Sequence, residues 1–226
     1  RARGGEVIAL IVDHGLRDGS GDEAALTAAR LTAEGVRAEI LRWRNDKPMT
    51  GIQNAARQAR YALLDGWCRW HGVLHLAVAH HADDQAETFM MRLQRGSGPD
   101  GLAAMAPVRE LGACRLMRPL LDFPKTRLVA TLQAAGMAWV EDPSNRNSKY
   151  GRTIVRDRLE AEPQKAKGFH IATARFARAR RALETATADW LARHAALNPA
   201  GYLRFSWVEW RDADEEIRLR VLARAA

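Results

Sequence analysis

The sequence is poor in the residues from which disulfide-stapled, cluster-bearing or membrane-embedded proteins are built. Its 226 residues include two cysteines, Cys68 and Cys114. They lie far apart in the chain and neither sits in a CxxC pair. This excludes a zinc or iron–sulfur motif and a disulfide framework, and it predicts two buried, reduced thiols. No apolar run approaches the ~18 residues of a membrane span, and no signal-peptide pattern is visible. Both absences lead to the expectation of a cytoplasmic protein with no membrane partner. There is no internal repeat and no low-complexity linker. The glycine-rich stretch "GSGPDG" (96–101) is not followed by Gly-Lys-Ser/Thr, so it is not a Walker A loop.

What is present is basic charge and an adequate core. The formal net charge is +8 and the sequence pI about 10.2, with 47% hydrophobic residues. The excess of cations suggests an anionic partner such as nucleic acid, although solvated basic helices would give the same balance. The length suits one large domain or one domain with an appendage.

Periodicity suggests strands alternating with helices. "EVIALIVDHGLR" (6–17) is an apolar run ending in Asp13, His14 and Gly15. "DEAALTAARLTAEG" (22–35) has helical spacing with Gly35 as its stop. "VRAEILRW" (36–43) alternates, "IQNAARQARYALLDGWCRWHG" (52–72) is a long helix, "VLHLAVAHH" (73–81) is apolar, and "DDQAETFMMRLQRG" (83–96) is helical. The alternation predicts an α/β fold, a parallel sheet with helices on both faces. Further along, 112–121 reads as a strand, 124–136 as a helix and 137–145 as a short strand entering a turn.

The character then changes. Arg152 to Arg181 holds nine Lys or Arg against three Asp or Glu, 169–197 reads as a basic alanine-rich helix, 202–210 alternates as a strand, and a helix closes the sequence. These features place a boundary near 160, between a 1–160 domain and a 161–226 basic helical region.

The densest chemistry lies in "AHHADDQAETFMMRLQRGSG" (79–98). In open parallel sheets, ligands bind beyond the carboxyl ends of strands, where Asp13-His14 and His80-His81 fall. A helix starting near Asp83 also presents backbone N–H groups suited to phosphate. Asp84 and Glu87 have capping-box spacing and so could simply satisfy helix N–H groups. The same spacing puts two carboxylates on one helix face, where magnesium and substrate phosphates could meet them. His80 and His81 could equally be polar strand-end residues.

"VDHGLR" (12–17), "QNAARQARYALL" (53–64), "AHHADDQAETFMMRLQRGSGPDGL" (79–102), "RPLL" (118–121) and "EDPSN" (141–145), in this order, resemble tRNA(Ile)-lysidine synthase. The resemblance covers about residues 6–160 and extends more weakly into the basic helix after 169, which implies a catalytic domain over 1–160 and a linker or tRNA-binding region over 161–226. It implies an N-type ATP pyrophosphatase fold. It also implies a reaction in which C2 of the first anticodon cytidine of tRNA(Ile) is adenylated by ATP, with magnesium, and free L-lysine then displaces AMP. The implied partners are tRNA(Ile) with a CAU anticodon and free lysine, and the reading admits a homodimer.

On this resemblance the catalytic set is Asp83, Asp84, Glu87, His80 and Arg60, with Asp83 and Asp84 as base or metal support. Asp13, His14, His81 and Arg57 fall to the nucleotide, and Asp84 with Glu87 to magnesium. Arg95, Gly96, Ser97, Gly98, Asp142, Asn145, Arg152, Arg156, Arg178 and Arg181 fall to tRNA or substrate. The family's SGGxDS loop is not found; Gly4-Gly5 lacks the following Asp-Ser. The expectation is that the chain starts just after that loop, that a carboxyl-terminal part is also missing, and that the chain as written cannot adenylate. Two rivals remain: a tRNA 2-thiolation enzyme of the same fold, which would use paired cysteines, and a non-catalytic tRNA-binding module.

Overall fold

The structure is a computed structural model that describes residues 5–137, 139 and 151–225, with Gly151 and Arg152 described by backbone alone. The described elements run β1 (Ile8–Asp13), α1 (Ser20–Ala33), β2 (Arg37–Arg42), α2 (Ile52–His71), β3 (His75–Ala77), α3 (Ala82–Gln94), α4 (Pro99–Leu102), β4 (Val108–Glu110), β5 (Arg115–Met117), α5 (Lys125–Ala134), α6 (Gly151–Ala161), α7 (Pro163–His194), β6 (Ala195–Leu197), β7 (Leu203–Phe205), α8 (Trp207–Asp212) and α9 (Glu215–Ala225). Among the described residues, no helix is long and apolar enough to cross a membrane. The chain divides into two compact units, 1–78 with 108–117, and 79–107 with 118–226. This division differs from a single cut near 160, because α3 groups with the carboxyl-terminal helices.

In the first unit β1 and β2 pair in parallel, with Asp13 opposite Arg42. β3 pairs in parallel with β5, and β4 pairs antiparallel with β5. The parallel pairs agree with the expected α/β class. The antiparallel β4 is a departure: a short hairpin joins it to β5, a connection too short for a parallel crossover. The core forms because α2 carries Leu64, Trp67 and Cys68 at i, i+3 and i+4, one helix face. These pack with Leu76 of β3, Cys114 and Leu116, and half-buried Ile8, Leu10, Val12 and Leu41 join them. Trp67 also donates its indole N–H to Glu39 Oε2 of β2 at 2.7 Å, so the one polar atom of a large buried ring is satisfied. Gly72 ends α2 at φ 66°, a left-handed turn that costs glycine little.

In the second unit α3 buries Gln85, Ala86, Glu87, Phe89 and Met90. Ala86 and Met90 pack with Val155 and Leu159 of α6, and Phe169 of α7 joins them. The Phe89 ring lies 5.0 Å from that of Phe169 and 6.2 Å from that of Phe176. Gln85 is buried without penalty because its carboxamide donates to Met105 O at 3.0 Å and accepts from Met105 N–H at 2.9 Å.

Some boundaries differ from expectation. The strand expected over 112–121 is the three-residue β5, after which the chain turns. The strand expected over 202–210 is β7 followed by helix α8. Its aromatics also satisfy helical spacing, and the Trp207 ring lies tilted against that of Trp210, 5.0 Å away and one turn on. The basic helix expected over 169–197 starts earlier, at Pro163, and ends at His194, where β6 begins. The expected 137–145 strand falls almost wholly outside the described residues.

Candidate active site

β1 delivers Asp13 and His14 at its carboxyl end in the first unit. Asp13 Oδ1 accepts from Gly15 N–H at 2.9 Å and from Ser20 Oγ–H at 2.8 Å. The Gly15 bond first, and the Ser20 bond next, hold its carboxyl below the usual range. Asp13 thus closes the turn that enters α1. Gly15 sits at φ 56°, and a Cβ there would meet the ammonium of Lys47 at 3.6 Å.

His14 faces Arg60 of α2. Arg60 Nη2 lies 3.2 Å from His14 Nε2. Burial first, and the Arg60 charge second, push the imidazole below its ordinary value. Neutral His14 accepts from a permanent cation, and the two form one donor-rich corner. The two arginines, one turn apart, make different contacts: Arg57, expected at the nucleotide, lies over the Tyr61 ring at 5.2 Å, while Arg60, expected in the catalytic set, turns to His14.

In the second unit the acid cluster opens α3. Asp84 Oδ2 accepts from the His81 backbone N–H at 3.0 Å, so the capping role is real. His81 Nδ1 lies 3.2 Å from Asp83 Oδ2, and its Nε2 lies 3.5 Å from Asp84 Oδ2. These are charge pairings rather than well-aligned hydrogen bonds. Asp83 Oδ2 also accepts from the Lys125 N–H at 2.7 Å, which ties α3 to the start of α5. The His81 contact first, with the Lys125 N–H and the His81 charge adding to it, pulls Asp83 down to about 2 against the opposing effect of burial. Asp83 in turn raises His81. His80 is half-buried beside this cluster in sequence.

Glu87 departs from expectation. It is 2% exposed and its Oε1 accepts from Arg156 Nε at 2.7 Å. Glu87 therefore has a partner on α6, while Asp84 accepts the N–H at the helix start. Among the described residues, no group of three or more His, Cys, Asp or Glu is placed to hold a metal ion. Magnesium commonly uses one carboxylate plus substrate phosphates, and Asp84, at the helix start, is the acid suited to that role. The same contact gives Arg156, expected at tRNA or substrate, a partner inside the unit, with its side chain 29% exposed.

The loop after α3 is held from several sides. Gly96 takes φ 67° and donates to Leu93 O, and Ser97 N–H donates to Arg92 O. A Cβ on Gly101 would stand 2.6 Å from Ser97 Cβ, so the loop closes on itself where only glycine fits. Arg92 donates to Gly101 O at 2.7 Å and Ala104 O at 3.1 Å. Arg220 of α9 donates to Asp100 Oδ1 at 2.6 Å. Gly98 starts α4, and Arg95 is exposed.

Sequence reasoning missed Arg92, Arg220 and Lys47. It also missed Arg118, which is buried and donates to Ala106 O at 2.7 Å. Arg118 lay within the quoted "RPLL" but was given no role. Arg178 and Arg181 are exposed on α7, compatible with a solvent-facing basic face. Asp142 and Asn145, and the Arg152 side chain, lie outside the described residues.

The rival thiolation chemistry needs reactive thiols. Cys68 and Cys114 are brought into one core cluster, 1% and 4% exposed and both free. Burial first, with the neighbouring Cys68, pushes Cys114 up to about 12. A thiol so placed supplies almost no thiolate at neutral pH.

Comparison with known proteins bears on the family and the fold. The family model for the PP-loop domain matches residues 1–162, and the chain belongs to that family. It is similar to the tRNA(Ile)-lysidine synthase of Bradyrhizobium diazoefficiens, 42% identical over 234 residues, covering 99% of this chain and 64% of that protein. It is also similar to that of Methylobacterium sp. strain 4-46, 51% identical over 150 residues, covering 66% and 44%. The counterpart in the Wolbachia of Brugia malayi is 38% identical over 219 residues, covering 95% and 51%. The chain thus spans about half to two thirds of the length of these relatives. Among solved structures it resembles a U34-tRNA thiolase from Methanococcus maripaludis, which carries a [4Fe-4S] cluster. The TM-score is 0.61 at 16% identity, covering 76% of this chain and 63% of that one. That likeness concerns the fold.

Proposed function

We propose that the chain carries the ATP-using domain of a tRNA(Ile)-lysidine synthase and works in the cytoplasm. The O2 oxygen of the first anticodon cytidine attacks the α-phosphate of ATP and expels pyrophosphate. The amine of free lysine then attacks C2, the bond from C2 to the adenylated oxygen breaks, and AMP leaves with that oxygen. Lysine surrenders its protons along the way.

The observation that carries this reading is the close grouping of His81, Asp83 and Asp84 at the start of α3, joined to the similarity to lysidine synthases. A carboxyl held at about 2 is a weak proton acceptor. Asp83 is therefore suited to hold a cation, such as the lysine ammonium, rather than to deprotonate it. Asp84 orders the helix start and is the acid that would hold magnesium, which would neutralise phosphate charge when bound. Arg60 supplies fixed positive charge, and its neighbour His14 stays neutral, so the corner favours a phosphate. The exposed arginines of α7 are suited to the tRNA backbone.

The test is nucleoside mass spectrometry of CAU-anticodon tRNA(Ile) after incubation with ATP, magnesium and lysine. Two forms are compared, the chain as written and a form with an SGGxDS segment joined ahead of residue 1. Lysidine in the second form supports the proposal. A thiolated nucleoside, formed with a sulfur donor instead of lysine, would transfer the chain to the rival class. Bound but unmodified tRNA in both forms would leave a binding module.

A further inference from the structure

One feature of the first unit is absorbed by neither the phosphate corner nor the acid cluster. The exposed start of α2 and the β4–β5 hairpin enclose an open cavity of about 300 Å³, lined by Asn54, Arg57, Gln58, Tyr61, Arg109 and Leu111. The four α2 residues are spaced i, i+3, i+4 and i+7, so they form one helix face. Arg109 is opposite Leu116 in the antiparallel register. Paired residues point to the same side of a sheet, and Leu116 packs with α2 in the core. The register therefore sends the Arg109 side chain toward the α2 side, at the rim.

The chemistry of the lining is one-sided. It contains two guanidinium groups, two carboxamides and a phenol, all able to donate hydrogen bonds, and no carboxylate. Arg57 is steadied by its stack on Tyr61 at 5.2 Å, which reduces the ordering cost of engaging a ligand. Two cations lining one cavity with no acid in its lining repel each other, and an anion shared between them would relieve this. The cavity is open and offers little apolar wall beyond Tyr61 and Leu111, so it suits a phosphate group on a longer molecule better than a whole nucleotide.

The geometry points to a phosphodiester-binding subsite for RNA, formed by Arg57, which the sequence had assigned to the nucleotide, and by Arg109, with Asn54 and Gln58. This rests on the tRNA reading and deepens it. Backbone contacts of this kind set the register of a bound nucleic acid and carry no sequence information. The subsite would anchor tRNA by a phosphate, independently of the identity of the modified base.

The experiment is arginine modification with phenylglyoxal, mapped by peptide mass spectrometry, on the whole chain in the presence of tRNA(Ile), ATP or inorganic phosphate. It is paired with salt-dependent tRNA binding by Arg57→Gln, Arg109→Gln and the corresponding Lys variants. We expect tRNA to protect both arginines and ATP to protect neither, with inorganic phosphate protecting only at high concentration. Each Gln substitution should reduce the log–log salt slope by about 0.7–0.9, and the Lys variants should retain most of it. Arg109→Gln, on an exposed three-residue strand, provides the reading if Arg57→Gln disturbs α2. Bound tRNA with unaltered reactivity and slope would overturn the subsite and leave the tRNA reading intact. Protection by ATP instead of tRNA would overturn it in favour of a nucleotide. Failure of the unmodified chain to bind any tRNA would overturn the subsite and the tRNA reading together.

Discussion

Arg156 of α6 donates from Nε to Oε1 of Glu87 on α3 at 2.7 Å, and the Glu87 side chain is 3% exposed while that of Arg156 is 29% exposed. The contact joins an acid of the central motif to a helix far along the chain. It also explains how a fully buried carboxylate is tolerated.

Removing the cation should therefore be costly. Arg156→Ala takes its guanidinium partner from a buried carboxylate, a change commonly worth about 3–5 kcal/mol, and the partial exposure of Arg156 puts the expected loss near the lower end. Hydrogen exchange of α3 and α6 amides in urea would measure it. Glu87→Leu with Arg156→Leu should recover much of the loss. A loss below about 0.5 kcal/mol for Arg156→Ala would show that the buried charge is not sustained by this contact.

The His81–Asp83 pair predicts a pH window. Asp83 is depressed from 3.8 to about 2, so its contribution is present above 3.8 and is lost as pH falls through about 2. His81 is raised above 6.5, so its contribution is complete below 6.5 and is lost as pH rises through the raised value. Both parts are present together between 3.8 and 6.5. Asp83→Asn should bring the His81 titration back toward its ordinary value, followed by histidine NMR. An unmoved His81 titration would remove Asp83 as the cause.

The exposed face of α7 predicts a salt effect. Arg178 and Arg181 are exposed and lie one turn apart. Charge reversal at both should weaken tRNA binding and lower the log–log salt slope by about 0.7–0.9 for each lost phosphate contact. Fluorescence anisotropy with labelled tRNA over a salt series reads this directly. An unchanged slope would show that tRNA does not use this face.

Much of the architecture was legible because it is local. Gly35, Gly72 and Gly136 each take positive φ after a helix, as their places after helical runs foretold. β1 and its Asp13-His14 end followed from an apolar run meeting polar residues. The opening of α3 was also legible, although spacing could not say whether Asp84 capped the helix or held a ligand. What was not legible depends on distance in the chain. Nothing near Glu87 announces Arg156, and nothing near Asp100 announces Arg220. Cys68 and Cys114 gave no sign that one core would hold both. The Trp207–Trp210 pair was misread because a short aromatic run fits both periods until its neighbours decide. The partners of Arg57 and Arg60, Tyr61 and His14, were likewise not legible, since residues one turn apart share a face only until each finds its own partner.

The central claim is that this chain serves cytidine-directed adenylation, and pyrophosphate release tests it most directly. The assay uses the form carrying an SGGxDS segment, with ATP, magnesium and either CAU-anticodon tRNA(Ile) or the same tRNA with uridine at the first anticodon position. The account predicts release that requires the cytidine tRNA and precedes lysine incorporation. It predicts that Asp84→Asn falls by two orders of magnitude or more while tRNA binding stays nearly unchanged, as expected for a contact made in the transition state. Equal release with the uridine tRNA, or near-normal single-turnover release by Asp84→Asn, would contradict it.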